Sequence, residues 1–199
     1  SEENIMPLGA NKAAIMGVSG VSTGDVVLLS TQTASSDATL SFTSGITSTY
    51  GEYIFRFYSV SPETDGENLT FQVSTDGGSS YGLTVTSSYF MAYHTEADES
   101  ALTYLTGEDQ AQGTAFQRIS HDVGDGADES AVGELHLFNP SSTTYVKHFY
   151  SRSVNYGANH SAQDEYCGGY FNTTSDIDAV QFKFSSGDFD GTIKMWGVK

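Results

Sequence analysis

NLTFQVSTDGGSSYGLTVT, residues Asn68–Thr86, decides the fold class. Leu69, Phe71 and Val73 alternate with Thr70, Gln72 and Ser74, so an extended chain here has one apolar and one polar face. Leu83 and Val85 resume the alternation against Thr84 and Thr86. Between the two runs lies a turn built on Asp76-Gly77-Gly78. Two alternating runs about a Gly-rich turn predict a β-hairpin, and with it an antiparallel β protein.

The pattern extends outward in both directions. Strand-length segments are read at Val26–Thr31, Thr39–Thr43, Glu52–Ser59, Tyr89–Tyr93, Ala115–Val123, Val132–Phe138, Thr144–Ser151, Tyr166–Phe171, Asp178–Phe184 and Gly191–Val198. Glu52–Ser59 carries Tyr53, Phe55 and Phe57 on one face and Ile54 and Tyr58 on the other, which predicts a central strand. TEADESALTYLTGEDQAQG (95–113) alternates least and is read as a long excursion with one helical turn ended by Gly107. Val154–Asp164 is read as a polar loop, and Asn139-Pro140 as a turn, because proline cannot continue a central ladder. About ten strands in one domain of ordinary size predict an all-β, antiparallel, jelly-roll-like β-sandwich over residues 25–199. Residues 1–24 are rich in Ala, Gly, Ser and Met without sustained periodicity. They are read as an extended N-terminal arm for attachment or subunit contact.

Composition narrows the partners. Against 25 acidic residues stand 8 basic ones, a net charge of −17, which repels nucleic acid and anionic membranes. No apolar run approaches the roughly 18 residues of a membrane span. The opening SEENIMPLGANKAAIMG has no basic segment followed by a long apolar one and is not read as a secretory signal. Cys167 is the only cysteine, so neither an internal disulfide nor a multi-cysteine zinc site is available. His94, His121, His136, His148 and His160 form no pair at metal-ligand spacing. No nucleophile-elbow or phosphate-loop pattern occurs, and the chain is read as non-enzymatic.

Three groups are candidate sites. The turn Ser74–Tyr81 is similar to the Asp-box, S-x-D-x-G-x-[ST]-[WYF], with Asp76 capping turn amides, Gly77 and Gly78 supplying positive φ, and Tyr81 packing beneath. Sialidase propellers carry several such boxes. One copy and no repeat period predict a structural turn here. The acidic loop 122–129 offers Asp122, Asp125 and Asp128, followed by Glu129, as oxygen ligands for Ca²⁺ without EF-hand spacing, and the loop Glu63-Thr64-Asp65, Asp188 and Asp190 are further candidates. Tyr93, Tyr104, Tyr156, Tyr166 and Trp196, with Tyr89, are read as aromatics in or beside the long loops or near the terminus. Such residues stack on sugars or pack against proteins.

From about Leu29 to Lys199 the chain resembles a β-domain of tailed-phage virions, particularly marine ones, of the kind labelled tail-fibre or structural protein. The resembling segments are SFTSGITSTYGEYIFRFYSVSPETDGENLTFQVSTDGGSSY, DQAQGTAFQ, LFNPSSTTYVKHFYSRS and GYFNTTSDIDAVQFKFSSGDFDGTIKMWGVK. These are strand and turn segments. The resemblance implies a virion location, other capsid or tail proteins as partners, and homo-oligomers, often trimers. It implies no catalytic residues. The expected role is a surface-displayed structural protein, either a capsid decoration or tail-associated. The alternative is a tail-fibre tip binding a host receptor or surface glycan.

Overall fold

Thirteen strands form among residues 25–199, the part of the chain that the computed structural model describes. They are β1 (Val26–Asp37), β2 (Leu40–Phe42), β3 (Glu52–Pro62), β4 (Glu67–Ser74), β5 (Val85–Thr95), β6 (Ser100–Tyr104) and β7 (Ala111–Gly113). After these come β8 (Gln117–Val123), β9 (Ala131–Phe138), β10 (Lys147–Gly157), β11 (Ser161–Phe171), β12 (Ala179–Phe184) and β13 (Phe189–Val198). The arm expected at 1–24 lies outside the described residues.

Every pairing is antiparallel, in a nearly closed, barrel-like arrangement. One wall runs β1-β13-β3-β9-β10-β11-β5, with β6 and β7 on β5 at its end. The opposite wall runs β8-β4-β12-β2. The walls join at one corner through a single β10–β8 pair, Gly157 opposite Val123. At the other corner the turn from β1 to β2 brings Gln32 Nε2 within 2.7 Å of Ser41 O, to which it donates.

Alternation explains the interior. Tyr53, Phe55 and Phe57 on β3 point inward and are buried, and β3 lies between β13 and β9 as its pattern predicts. Leu69, Phe71 and Val73 on β4 meet them from the opposite wall. Ring contacts tie the walls together: Phe55 to Phe182 at 5.4 Å, Phe71 to Phe149 at 5.1 Å and Phe71 to Phe171 at 5.7 Å. Cys167 faces this interior from β11, and burial pushes its thiol up, so it is a packing residue.

Three expectations need correction. Residues 68–86 are not a hairpin: β4 pairs with β12 and β8, and β5 pairs with β11, β6 and β7. Both edges of β4 are taken by strands of its own wall, so the chain leaves the turn and enters the other wall. Residues 95–113 hold β6 and β7 and no helix. Ala101, Leu102 and Thr103 pair with Tyr93, Ala92 and Met91 on β5, and that ladder satisfies backbone groups one helical turn would leave open. Val154–Asp164 is the tip of the β10–β11 hairpin, paired from Lys147 opposite Phe171 to Gly157 opposite Ser161.

The outer sides of the two walls differ. On β4 the outward Gln72 is fully buried. Its Nε2 donates to Leu83 O and Ala115 O at 3.1 Å each, so the chain around 83 and 115 covers the small wall. On the large wall the outward Ile54 and His136 are buried, while Phe90, Val132, Tyr150 and Val154 stay exposed.

Candidate functional site

The bare outer side of the large wall gathers nearly all the exposed apolar bulk. Every exposed large apolar side chain among the described residues, except Tyr145, stands on it. They are Val26 and Leu28 on β1, Tyr58 on β3, Phe90 on β5, and Leu102 and Tyr104 on β6. Val132 on β9, and Tyr150 and Val154 on β10, complete the set. Leu102 is 75 % exposed and Val154 41 %, values far from those of core residues.

One row crosses the centre of this face in strict register. Tyr104 lies opposite Phe90, Phe90 opposite Tyr166, Tyr166 opposite Arg152, Arg152 opposite Glu134, Glu134 opposite Arg56, and Arg56 opposite Lys194. Cross-strand neighbours on one face of a ladder sit about 5 Å apart, so such a row is a chain of side-chain contacts. Phe90 and Tyr166 stack with centroids 5.0 Å apart and planes within 6°. Arg152 places its guanidinium 5.3 Å from the Tyr166 centroid. The same guanidinium donates a two-pronged pair of bonds to Asp164, at 3.0 and 2.9 Å, and holds that carboxyl below the usual range. Arg56 Nε donates to Glu134 Oε2 at 3.2 Å, and Lys194 Nζ lies 5.1 Å from the centre of Tyr58. In the neighbouring row His136 stacks on Tyr150 at 4.4 Å.

The aromatics expected near loops are strand residues. Tyr104, Tyr156, Tyr166 and Trp196 share the outer face, and Tyr93 points to the other side of β5 with Tyr89 and Met91. Tyr104 donates to Asp109 Oδ2 at 2.5 Å, and that bond raises the phenol. Tyr156 Oη lies 3.2 Å from Glu96 Oε1 and 3.1 Å from His160 Nδ1, beside the hairpin tip. Trp196 packs between Leu28 and Ile54 in the ladder. Tyr89 is fully buried and belongs to the core. Phe90, Tyr150, Arg152 and Val154, central to the face, went unselected. Their signal was an inverted alternation: on β10, Ser151, Ser153 and Asn155 point inward while Tyr150, Arg152 and Val154 point out.

Beneath that inverted stretch the interior is polar. Glu165 is buried, and burial pushes its carboxyl up to about 7 against the bonds it accepts. Ser153 Oγ lies 2.6 Å from Ile119 O and 2.7 Å from Glu165 Oε2. It has one hydrogen to give, so with Glu165 protonated it donates to Ile119 O and accepts from the carboxyl. The His121 backbone N–H donates to Glu165 Oε1 at 2.8 Å.

The other candidate residues fall elsewhere. Asp125 is grouped with Asp65 and Glu129, one oxygen of each within 4.8 Å of the others, a set that could hold a metal ion. Asp122 is not in that set. It adopts φ 54°, lies against Gly66, and has its carboxyl raised by burial. Asp128 lines the same acidic cleft as Asp125 and Glu129. At the Asp-box turn, Asp76 Oδ1 accepts from Ser74 Oγ at 2.6 Å and from the Ser80 N–H at 2.9 Å. Asp76 Oδ2 accepts from Ser80 Oγ. These bonds, led by Ser74, bring the Asp76 carboxyl down to about 2. Gly77 and Gly78 have φ 73° and 83°, and the Gly77 N–H donates to both oxygens of Asp178 at 3.0 Å, which pins the turn to the start of β12. Tyr81 packs back with its hydroxyl buried near Gly78.

A separate cleft of about 410 Å³ opens beside the outer side of β4 and β12. Phe116, Arg118, Lys183, Glu108 and Gln110 line it. Lys183 Nζ sits 4.3 Å above the Phe116 ring, and Arg118 pairs with Glu108. No protein-family model matches the chain, and no curated protein or solved structure matches it.

Proposed function

We propose that this chain is a non-enzymatic structural protein of a phage virion, displayed on the particle as a capsid decoration or a tail-associated component. The strand order is the observation that carries this reading. With the inserted β5–β7 and β10–β11 set aside, the walls read β1-β13-β3-β9 and β2-β12-β4-β8. Renumbered, those eight strands run 1-8-3-6 and 2-7-4-5, an order that supports reading the domain as a jelly-roll-like sandwich, an architecture common to viral capsid and lectin domains. The insertions extend one wall and furnish half of its bare outer face, which suits a protein that works by contact. Residues 1–24 supply the attachment arm, and other capsid or tail proteins are the partners.

Cryo-electron microscopy of native particles tests this. The expected result is density for the β-domain in symmetric copy number on the capsid or tail, lost when residues 1–24 are deleted. Particles lacking the protein, or full occupancy by the truncated chain, would contradict it.

A host-glycan or receptor-binding tip is the second reading, and the cleft at Phe116 favours it. That ring, with Arg118, Gln110 and Glu108, offers one apolar surface and several hydrogen-bonding groups, the pairing that sugar rings require. Phe90 and Arg152 lie against the Tyr166 ring in the stacked row, and Lys183 lies over Phe116 in the cleft, so the cleft is preferred for its concave shape and its hydrogen-bonding groups. Glycan-array binding abolished by Phe116→Ala would support this reading, and a silent array would count against it.

A further inference from the structure

We infer that the bare outer face of the large wall is a self-association surface, and that its occupant is the same face of a second copy of this chain. The contrast between the walls is the first reason. The small wall is covered by the chain's own connections, down to the buried amide of Gln72, while the large wall presents Val132, Val154, Phe90 and Leu102. Exposed apolar side chains gathered on one face and interleaved with charged ones are what an interaction surface presents.

Charge selects the partner. Two copies of a chain with net charge −17 repel each other over most of their surfaces. On this face Arg56, Arg152 and Lys194 stand among Glu52, Glu134 and Asp164, with Asp109 and Glu96 at its margin, so three of the chain's eight Lys and Arg residues gather here. Copies that meet through this face therefore feel less repulsion than the net charge of −17 implies. Both signs lie side by side, as in the Arg56–Glu134 and Arg152–Asp164 pairs, so a two-fold-related copy can set cation against carboxylate. An isologous interface requires such self-complementarity.

Size is consistent. Eight strands span roughly 34 Å at about 4.8 Å spacing, and the outward rows run about 20 Å along them. The product, about 700 Å², approaches the roughly 800 Å² that each partner contributes to a standard interface. Apolar side chains occupy much of it, as homodimer interfaces demand.

Analytical ultracentrifugation of the full chain tests the inference. The expected species has twice the chain mass of 21.3 kDa. Val154→Glu places a charge at the centre of the contact and is expected to weaken the dimer about 100-fold, through desolvation and like-charge cost. Leu102→Glu, at the most exposed apolar position of the face, is a second probe that spares the fold. Both variants should melt as the wild type's folded subunit does. Tyr145→Ser, an equally exposed aromatic off this face, should leave the dimer intact. A wild-type monomer at the highest soluble concentration would overturn the inference, as would a dimer indifferent to both glutamates. A full chain that stays monomeric and dimerises only after residues 1–24 are removed would also overturn it, by assigning the face to the arm. None of these results bears on whether particles contain the protein, so this inference and the virion reading fail separately.

Discussion

Two turns of this molecule invert each other. The turn at 74–81 has every local mark of a hairpin: flanking alternation, Asp76, two glycines at φ 73° and 83°. Yet β4 and β5 do not pair, and the chain uses the turn to pass from one wall to the other. The tip at 158–160 has no Asp-Gly turn and no glycine at positive φ, and its flanks alternate in the inverted sense, yet it closes an eleven-pair hairpin between β10 and β11. Its positive-φ residue is His160, at 57°, with the His160 N–H donating to Gly157 O at 2.9 Å. A turn sequence therefore reports that the chain reverses. Which strand it then joins depends on which edges are free, and that is settled by residues a hundred positions away.

The largest test of this contrast falls on Phe71. It faces Phe182 in its own wall and Phe149 and Phe171 in the other. Phe71→Ala is expected to cost about 3–5 kcal/mol in a denaturant titration, because it opens a cavity where the walls meet. A loss below about 1 kcal/mol would mean that β4 does not face β10 and β11.

Gly78 comes next. A Cβ there would stand 2.8 Å from Thr43 Cγ2 and 2.7 Å from Tyr81 Oη, at a φ of 83°. Gly78→Ala is expected to destabilise by about 1–3 kcal/mol, as thermal melting would show. A neutral result would mean that the turn does not hold Tyr81 beneath it.

Glu165 probes the interior under the silent hairpin. Its carboxyl, near 4.5 in the unfolded chain, is raised to about 7 in the fold. The folded state therefore holds a proton that the unfolded state has lost between those values. Stability is expected to fall as pH rises from about 4.5 to 7, then level off. Glu165→Gln should remove that slope and raise stability at pH 8 by about 1 kcal/mol, roughly 2–4 °C in Tm. A wild type without the slope would contradict a protonated Glu165.

The smallest expected effect has the opposite sign. His160→Gly relieves a left-handed residue and should stabilise by up to about 1 kcal/mol, less whatever the bond to Tyr156 contributes. Alanine at Gly78 and glycine at His160 would then move stability in opposite directions, which is the contrast in its sharpest form.

Much of the fold was legible because burial and alternation agree on β3, β4, β12 and β13. Tyr53, Phe55, Phe57, Val180, Phe182 and Phe184 all point to the core as their spacing predicts. The candidate face was less legible for a physical reason. On β10 and β11 the inward positions are Ser153, Asn155, Gln163 and Glu165, and the outward ones include Tyr150, Val154 and Tyr166. Periodicity assigns apolar residues inward, so it misplaces a strand whose polar side is buried by a hydrogen-bonded network. Tyr104, Tyr156, Tyr166 and Trp196 could be picked out as aromatics. Their shared face depends on strand register, which no local pattern encodes. The acidic group shows the same limit: Asp65, Asp125 and Glu129 lie in two loops that could each be picked out as acidic, and only folding brings them together.

Cross-strand nuclear Overhauser effects distinguish a crossing between walls at 68–86 from a hairpin there, and report the hairpin at 147–171. Backbone contacts are expected between Tyr89 and Cys167, between Phe71 and Phe182, and between Ser153 and Glu165. A ladder of contacts joining Leu69–Val73 directly to Leu83 and the strand after it, with none between Tyr89 and Cys167, would contradict the crossing.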